Sequence, residues 1–430
     1  MSADTTSLRN VLVIAYYFPP MGLSGVQRTL KFVKYLPQFG WQPTVLTVTP
    51  TGYFAQDETL LDEIKDLNIE IIRAGSLDAN RFFKKQRIVK LPSERWGKFL
   101  TFTSDLFFIP DNKIGWKRRA LQAAMETMNK TKFDVIFATA PPFTDFLIGT
   151  ELHDRYKIPL ILDYRDPWLE YPVKYYPTLY HRWKTYAMEK IALQKSSKII
   201  VTNRRVKELI LKQYVFLDYE DIVILPQGYD PADFDFSSSK NSENQKFTIT
   251  YTGVFNGDRT PKYFFEALKK IFSDSPDLKE KIEARFVGNF QDEYIRLIQA
   301  MELDQNIVMT GYVSHAESIK EVMKSDCVWL MLMNDRQSPG KLYEYIASKK
   351  PILACVPDGF IKQTVLETGA GVVVDPTHVE AISNAILQLY DQFKKKQLPS
   401  TTEEIVQKYN RVALTNELSK IMGFLIDYPS

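Results

Sequence analysis

The stretch "QSPGKLYEYIASKKPILA", residues 337–354, sets a Pro-Gly turn, an amphipathic helix and a short apolar strand in direct succession. An apolar run at 326–333 precedes it, so the segment reads as one strand–helix–strand unit. Two parallel strands need such a crossover, and strands covered on both faces carry continuous apolar runs. The helix begins on bare backbone at Gly340, with Lys341 and Leu342 next and Glu344 one turn on. First-turn N–H groups favour an anion, and a lysine beside them adds charge. A carboxylate one turn further in can accept from vicinal hydroxyls, as an acid does for ribose in dinucleotide folds. The stretch is shaped for a nucleoside diphosphate.

Outward from this unit the same alternation recurs. Strands are expected at 11–17, 43–48, 69–73, 134–138, 158–163, 198–202 and 222–225. A second series falls at 247–252, 284–288, 307–310, 326–333, 351–355 and 371–374. Strands separated by helices predict an α/β chain of two Rossmann-like, doubly wound parallel-sheet domains, with ligands at the carboxyl ends of the strands in the crevice between them. The polar stretch "PQGYDPADFDFSSSKNSENQK", 226–246, separates the two series. The expected organisation is one domain over 1–228, a linker over 229–246 and a second domain over 247–400. A C-terminal helix over 401–430, packing back on the first domain, completes it. "SHAE" and "THVE" predict capping boxes at Ser314/Glu317 and Thr377/Glu380.

Composition narrows the class. Of 430 residues, 45% are hydrophobic and 25% charged, which suits a globular protein with large cores. The net charge of +3 is too small to argue for nucleic acid. Two cysteines, Cys327 and Cys355, lie in apolar runs, which predicts buried free thiols in a reducing compartment. "VLVIAYYF" after a polar N-terminus is too short for a signal or a membrane span. A cytoplasmic protein is expected, at most peripheral on the inner face of the membrane. Four scattered histidines offer no metal site, and "DFD" at 233–235 sits in the linker. No nucleic-acid-binding motif accompanies the chain.

Three further constellations sit where strands give way to helices. In "AYYFPPMGLSGVQRTLKFVKYLPQFG", 15–40, the Gly25 loop is either a plain tight turn or a close backbone approach to an anion. It lacks both the dinucleotide and the Walker spacing. In "ILDYRDPWLEYP", 161–172, Asp163, Tyr164, Arg165 and Asp166 end an apolar strand, and there they either form an Arg165–Asp166 ion pair or meet a ligand. In "YTGVFNGDRTPKYFFEAL", 251–268, a strand ends at Gly253, and Arg259 and Lys262 arrive as a helix starts, with Pro261 suited to its first turn.

"YYFPP" with "GVQR", "LDYRDPW", "LPQGYDPADF", "YTGVFNGDRTPK" and "SPGKLYEYIASKKPILA" together resemble family 4 (group 1) retaining glycosyltransferases of the GT-B architecture, over nearly the whole chain and in order. The resemblance implies that Arg259 and Lys262 hold the donor pyrophosphate. It also implies that Gly340, Lys341 and Leu342 cradle it, Glu344 takes the ribose, and the Gly25 loop closes over the phosphates. Two departures stand out. The first glutamate of the family's Glu-x7-Glu pair is replaced by Arg336, and "ATAPPFTDF", 138–146, lacks the family's histidine. Asp145, Asp163 or Asp166 is then left to meet the transferred sugar.

The implied reaction is hexosyl transfer from a nucleotide sugar to a glycan or lipid-linked acceptor, in bacterial surface-polysaccharide or glycoconjugate synthesis. Arg259, Lys262, Asp163 and Asp166 are the expected catalytic groups, and Tyr164, Arg165 and Asp166 the acceptor contacts, with no metal or other cofactor. A sugar-nucleotide 2-epimerase and a non-catalytic nucleotide-binding subunit are the alternatives. "RFFKKQRIVKLPSERWGKFLTF", 81–102, interleaves Lys84, Lys85, Arg87 and Lys90 with aromatics including Trp96. That pattern suits either an anionic membrane surface or a basic loop over the acceptor groove.

Overall fold

The computed structural model describes residues 8–22, 24–50, 56–77, 103–171, 174–234, 246–255, 258–335 and 339–428. The chain forms two compact units: 1–227 with 411–430, and 228–410. All the expected strands form, with ends displaced by a few residues. In the first unit they are β1 (Arg9–Ile14), β2 (Trp41–Val48), β3 (Glu70–Ala74), β4 (Val135–Ala140), β5 (Leu160–Tyr164), β6 (Lys198–Val201) and β7 (Ile222–Ile224). They make one parallel sheet in the order β3-β2-β1-β4-β5-β6-β7. In the second unit β8 (Phe247–Thr252), β9 (Ile282–Val287), β10 (Ile307–Gly311), β11 (Cys327–Met331), β12 (Ile352–Cys355) and β13 (Gly371–Val374) make another, ordered β10-β9-β8-β11-β12-β13.

The continuous apolar runs follow from burial on both faces. In β11, Cys327, Trp329 and Met331 enter one core cluster, while Val328 and Leu330 enter the other. β12 divides in the same way, with Leu353 and Cys355 on one side and Ile352 and Ala354 on the other. Period-two geometry sends neighbours to opposite faces, so both sets must be apolar. Both cysteines are buried and free, and burial pushes each thiol up to about 12.

The expected C-terminal helix is two helices. Glu403–Gln407 belongs to the second unit and Arg411–Asp427 to the first. Leu414, Leu418, Met422 and Leu425 recur at helical spacing and join the core of the first unit. Each such side chain contributes about 2 kcal/mol by leaving water. The Ser314/Glu317 capping box forms, but the one expected at Thr377/Glu380 does not. His378 stands at that helix start, and Thr377 donates to Asp375 at 2.6 Å instead.

Candidate active site

In the second unit the strand order reverses between β8 and β11, which is where open α/β sheets take ligands, outside the strand ends. Gly253 follows β8 directly with φ +136°, and Gly288 follows β9 with φ +139°. A Cβ on Gly288 would stand 2.2 Å from the Gly253 carbonyl oxygen, so only glycine lets these two strand ends meet. The sequence reading singled out Gly253 and missed Gly288, although both glycines close apolar runs in the same way.

Arg259 lies half-buried in the loop after β8, with its guanidinium against the Tyr251 phenol. Burial raises the Tyr251 pKa, and the Arg259 charge offsets part of the rise. The Tyr294 hydroxyl donates to the Arg259 carbonyl at 3.4 Å, which fixes the same loop from a second side. Lys262 opens the Lys262–Asp274 helix with Pro261 at its start. Its ammonium is half-exposed, 3.8 Å from Glu266. Asn334, beyond β11, donates to Asp258 at 2.9 Å and ties the two loops together.

The Gly340–Ser348 helix starts after Pro339 with no side-chain cap, and the Leu342 amide turns back to the Pro339 carbonyl at 3.2 Å. Lys341 and Glu344 form a 2.9 Å pair. Burial raises the Glu344 pKa, but the Lys341 and His315 charges outweigh it, and the carboxyl titrates below its ordinary value. His315 also meets Asp233 at 3.0 Å, so it does more than sit in a cap. Tyr345 locks this helix to the sheet: its buried hydroxyl accepts from the Thr252 amide at 2.8 Å. Thr252 lies between Tyr251, which faces Arg259, and Gly253. Tyr345 follows Lys341 by one helical turn, so Arg259 and Lys341 belong to one end of the sheet.

In the first unit the order reverses between β1 and β4. Gly25 falls in the first turn of the Ser24–Tyr35 helix, where a Cβ would meet the Arg165 guanidinium at 2.8 Å. Arg165 is buried and donates to the carbonyls of Gly25, Ala140 and Pro141. It is a brace across three segments. Asp163 is fully buried: Arg28 donates to its oxygens at 2.8–3.2 Å and Thr139 at 2.8 Å. Arg28 itself reaches the carbonyls of Pro226, 2.7 Å, and Leu225, 3.0 Å. Among the described residues, the Asp163 and Arg165 side chains are engaged by partners within the first unit.

Tyr164 is also fully buried, and burial, with the Glu189 charge, pushes its phenol well above the ordinary value. Asp166 is half-buried at the same strand end. Asp145 is buried and accepts from the Tyr16 amide at 2.8 Å. Burial raises its pKa well above the carboxylate range, and Asp111 adds to the rise. Arg336 and the basic segment with Lys84, Lys85, Arg87, Lys90 and Trp96 lie outside the described residues. Among the described residues no helix is long and apolar enough to cross a membrane.

Comparisons with known proteins bear on this geometry. The profile of Glycosyltransferase Family 4 matches residues 24–233, and that of Glycosyl transferases group 1 matches 233–402. No curated protein sequence matches the chain. A glycosyltransferase from Rickettsia africae superposes with a TM-score of 0.66 at 15% identity, covering 98% of this chain and 100% of its own. Anabaena HepE in complex with UDP-glucose gives 0.62 at 13% identity, covering 96% and 99%. A Listeria monocytogenes protein described as a UDP-N-acetylglucosamine 2-epimerase gives 0.59 at 14%, covering 98% of each chain. These likenesses establish the GT-B fold, which serves more than one chemistry. With two family profiles meeting at residue 233 and together spanning 24–402, the chain belongs to the family 4, group 1 glycosyltransferases.

Proposed function

We propose that this glycosyltransferase moves a sugar from a nucleoside-diphosphate sugar to a glycan or lipid-linked acceptor with retention and without a metal, in bacterial surface-polysaccharide or glycoconjugate synthesis. The observation that carries the reading is the β8 end. There Tyr251 bears Arg259, Thr252 is bonded to Tyr345 of the Gly340–Ser348 helix, and Gly253 comes next. Cations and helix amides fixed in advance stabilise the charge that grows on a departing diphosphate. Arg259, Lys262 and the helix start with Gly340 and Lys341 take that role, and Glu344, held ionised, accepts from the ribose. Asp166 orients the acceptor, while Asp163, Tyr164 and Arg165 hold the strand end that carries it. Retention by front-face attack needs no protein nucleophile.

UDP-sugars are the first donors to test, since HepE is seen with UDP-glucose. A thermal-shift series over UDP-, GDP- and dTDP-sugars, with and without EDTA, identifies the donor, because a bound ligand raises apparent stability by mass action. The anomeric configuration of the product, read by NMR, then tests retention. A sugar inverted at C2 with the nucleotide still attached replaces this reading with the epimerase one. Binding without turnover on any acceptor leaves a nucleotide-binding subunit.

A further inference from the structure

The segment that follows β5 carries Asp166 and is held at both ends. At its start Arg165 donates to the carbonyls of Gly25, Ala140 and Pro141, and Trp168 stacks on Phe143 with 4.9 Å between ring centroids. At its far end the Leu169 peptide is clasped from two sides. Its amide donates to the Glu189 carboxyl at 3.0 Å, and its carbonyl accepts from the Tyr176 hydroxyl at 2.9 Å. Glu189 lies within the Leu179–Lys195 helix. It also accepts, at 2.9 Å, from the hydroxyl of Tyr214, just beyond the Arg204–Gln213 helix. One carboxyl therefore joins the segment to two helices.

That carboxyl is buried, and the groups that face it are three phenols and a second acid: Tyr164 from β5, Tyr214, Tyr176 and Glu170. None of them is a cation. Tyr186 stacks on Tyr214 at 5.3 Å and backs the cluster. Burial raises the pKa of all three phenols, so they stay protonated and neutral. A carboxyl buried without a counter-charge keeps its proton. Burial accordingly pushes Glu189 up to about 8, with the bonds from Tyr214 and Leu169 offsetting part of the rise. A groove of about 310 Å³, whose lining includes Leu169, Tyr186 and Gln213, reaches solvent beside the clasp. Parting Leu169 from Glu189 would admit water to the carboxyl.

We propose that Glu189 is a positioning residue that works as a proton-controlled clasp on the 166–169 segment: protonated, it holds the segment against both helices, and ionised, it lets the segment open. In the closed form the carboxyl keeps its proton to higher pH than in the open form, where water restores its ordinary value. Closing therefore takes up a proton, and rising pH favours opening. The clasp itself does not depend on the transfer reading. That it sets the acceptor side of the site, through Asp166, rests on that reading.

Amide hydrogen exchange in the [15N]leucine-labelled full chain tests it, read at Leu169 and, as the reference for opening of the whole unit, at Leu162 inside β5. After division by the intrinsic exchange rate, the opening constant at Leu169 should exceed that at Leu162. It should rise about tenfold for each pH unit from pH 6 toward 8 and then level off. E189Q keeps an oxygen for the Leu169 amide but cannot ionise, so it should remove the rise. Y214F deletes a bond that favours the charged form, so the levelling should move to higher pH. The proposal is overturned if opening at Leu169 does not change with pH, or changes in E189Q as in the wild type. It is equally overturned if Leu169 and Leu162 open with one constant at every pH, which would make Glu189 part of the unit's folding alone. None of these readings uses a nucleotide sugar, so donor binding in thermal shift judges the transfer reading separately.

Discussion

Asp163→Asn is the most informative single substitution, because it separates a group that holds the fold from one that meets substrate. The wild-type carboxylate is fully buried and accepts from the Arg28 Nε and Nη2 and from the Thr139 hydroxyl. The amide keeps the shape but removes the charge, and turns an N–H₂ toward a buried cation or a hydroxyl. Arg28 retains the Leu225 and Pro226 carbonyls and at most one neutral amide oxygen in place of a charged carboxylate. Breaking one side of a buried pair costs about 3–5 kcal/mol. Divided by a urea m-value of about 3 kcal/mol per M, that is a loss of about 1–1.7 M in the midpoint of the first unit's transition. R28M/D163L should couple favourably by at least about 1 kcal/mol relative to the sum of the single variants. At a temperature where D163N is folded, transfer should stay within about tenfold of wild type, whereas loss of a group acting on the transition state costs about a hundredfold or more. Unchanged stability together with collapsed transfer would refute the reasoning and return Asp163 to the reacting atoms.

Arg259→Ala should lower kcat/KM by about 10²–10³ with an unaltered CD spectrum, measured by release of the free nucleotide; near-normal turnover would remove Arg259 from the leaving-group site. Gly288→Ala combines a left-handed φ with a Cβ 2.2 Å from the Gly253 carbonyl, so it should cost about 2 kcal/mol or more and weaken donor binding, both visible in thermal shift with and without nucleotide sugar. Burial pushes Glu189 up to about 8 against the hydrogen bonds from Tyr214 and Leu169. The folded state therefore keeps a proton that the unfolded state sheds near its ordinary value. Stability from this group is full below that value and falls as pH rises toward 8. Glu189→Gln should flatten this slope in urea titrations at pH 5, 7 and 9, and an unchanged slope would assign it to another group.

The fold was legible because burial on two faces writes itself into a sequence. β11 and β12 need apolar residues at every position, so "CVWLM" and "ILAC" stand out as unbroken runs between helices. The split of the C-terminal region was hidden. Both pieces are helical, and only packing shows that 403–407 stays with the second unit while 411–427 joins the core of the first. "THVE" misled because a Thr and a Glu three apart satisfy the capping pattern, yet Asp375 lies two residues before Thr377 and takes its hydroxyl.

For the site, legibility follows whether a group acts through the local chain or across the fold. Gly340, Lys341 and Glu344 form their arrangement within one helical turn, so spacing alone reveals it. Arg28 and Asp163 are 135 residues apart, and Thr252 and Tyr345 93 apart. No local pattern could pair them. The consequence is that sequence alone does not show whether a charged residue at a strand end is bound within the fold. In "LDYRD", Asp163 and Arg165 have their partners inside the protein, in Arg28 and in the carbonyls of Gly25, Ala140 and Pro141, because each sits where another strand or helix ends beside it. Asp166, one residue beyond Arg165, is half-buried. A charge buried at a switch point without such partners would cost several kcal/mol. Asp163, inside β5, and Arg165, just beyond it, are thus both taken up by the fold, which the run of charged letters in the sequence cannot reveal.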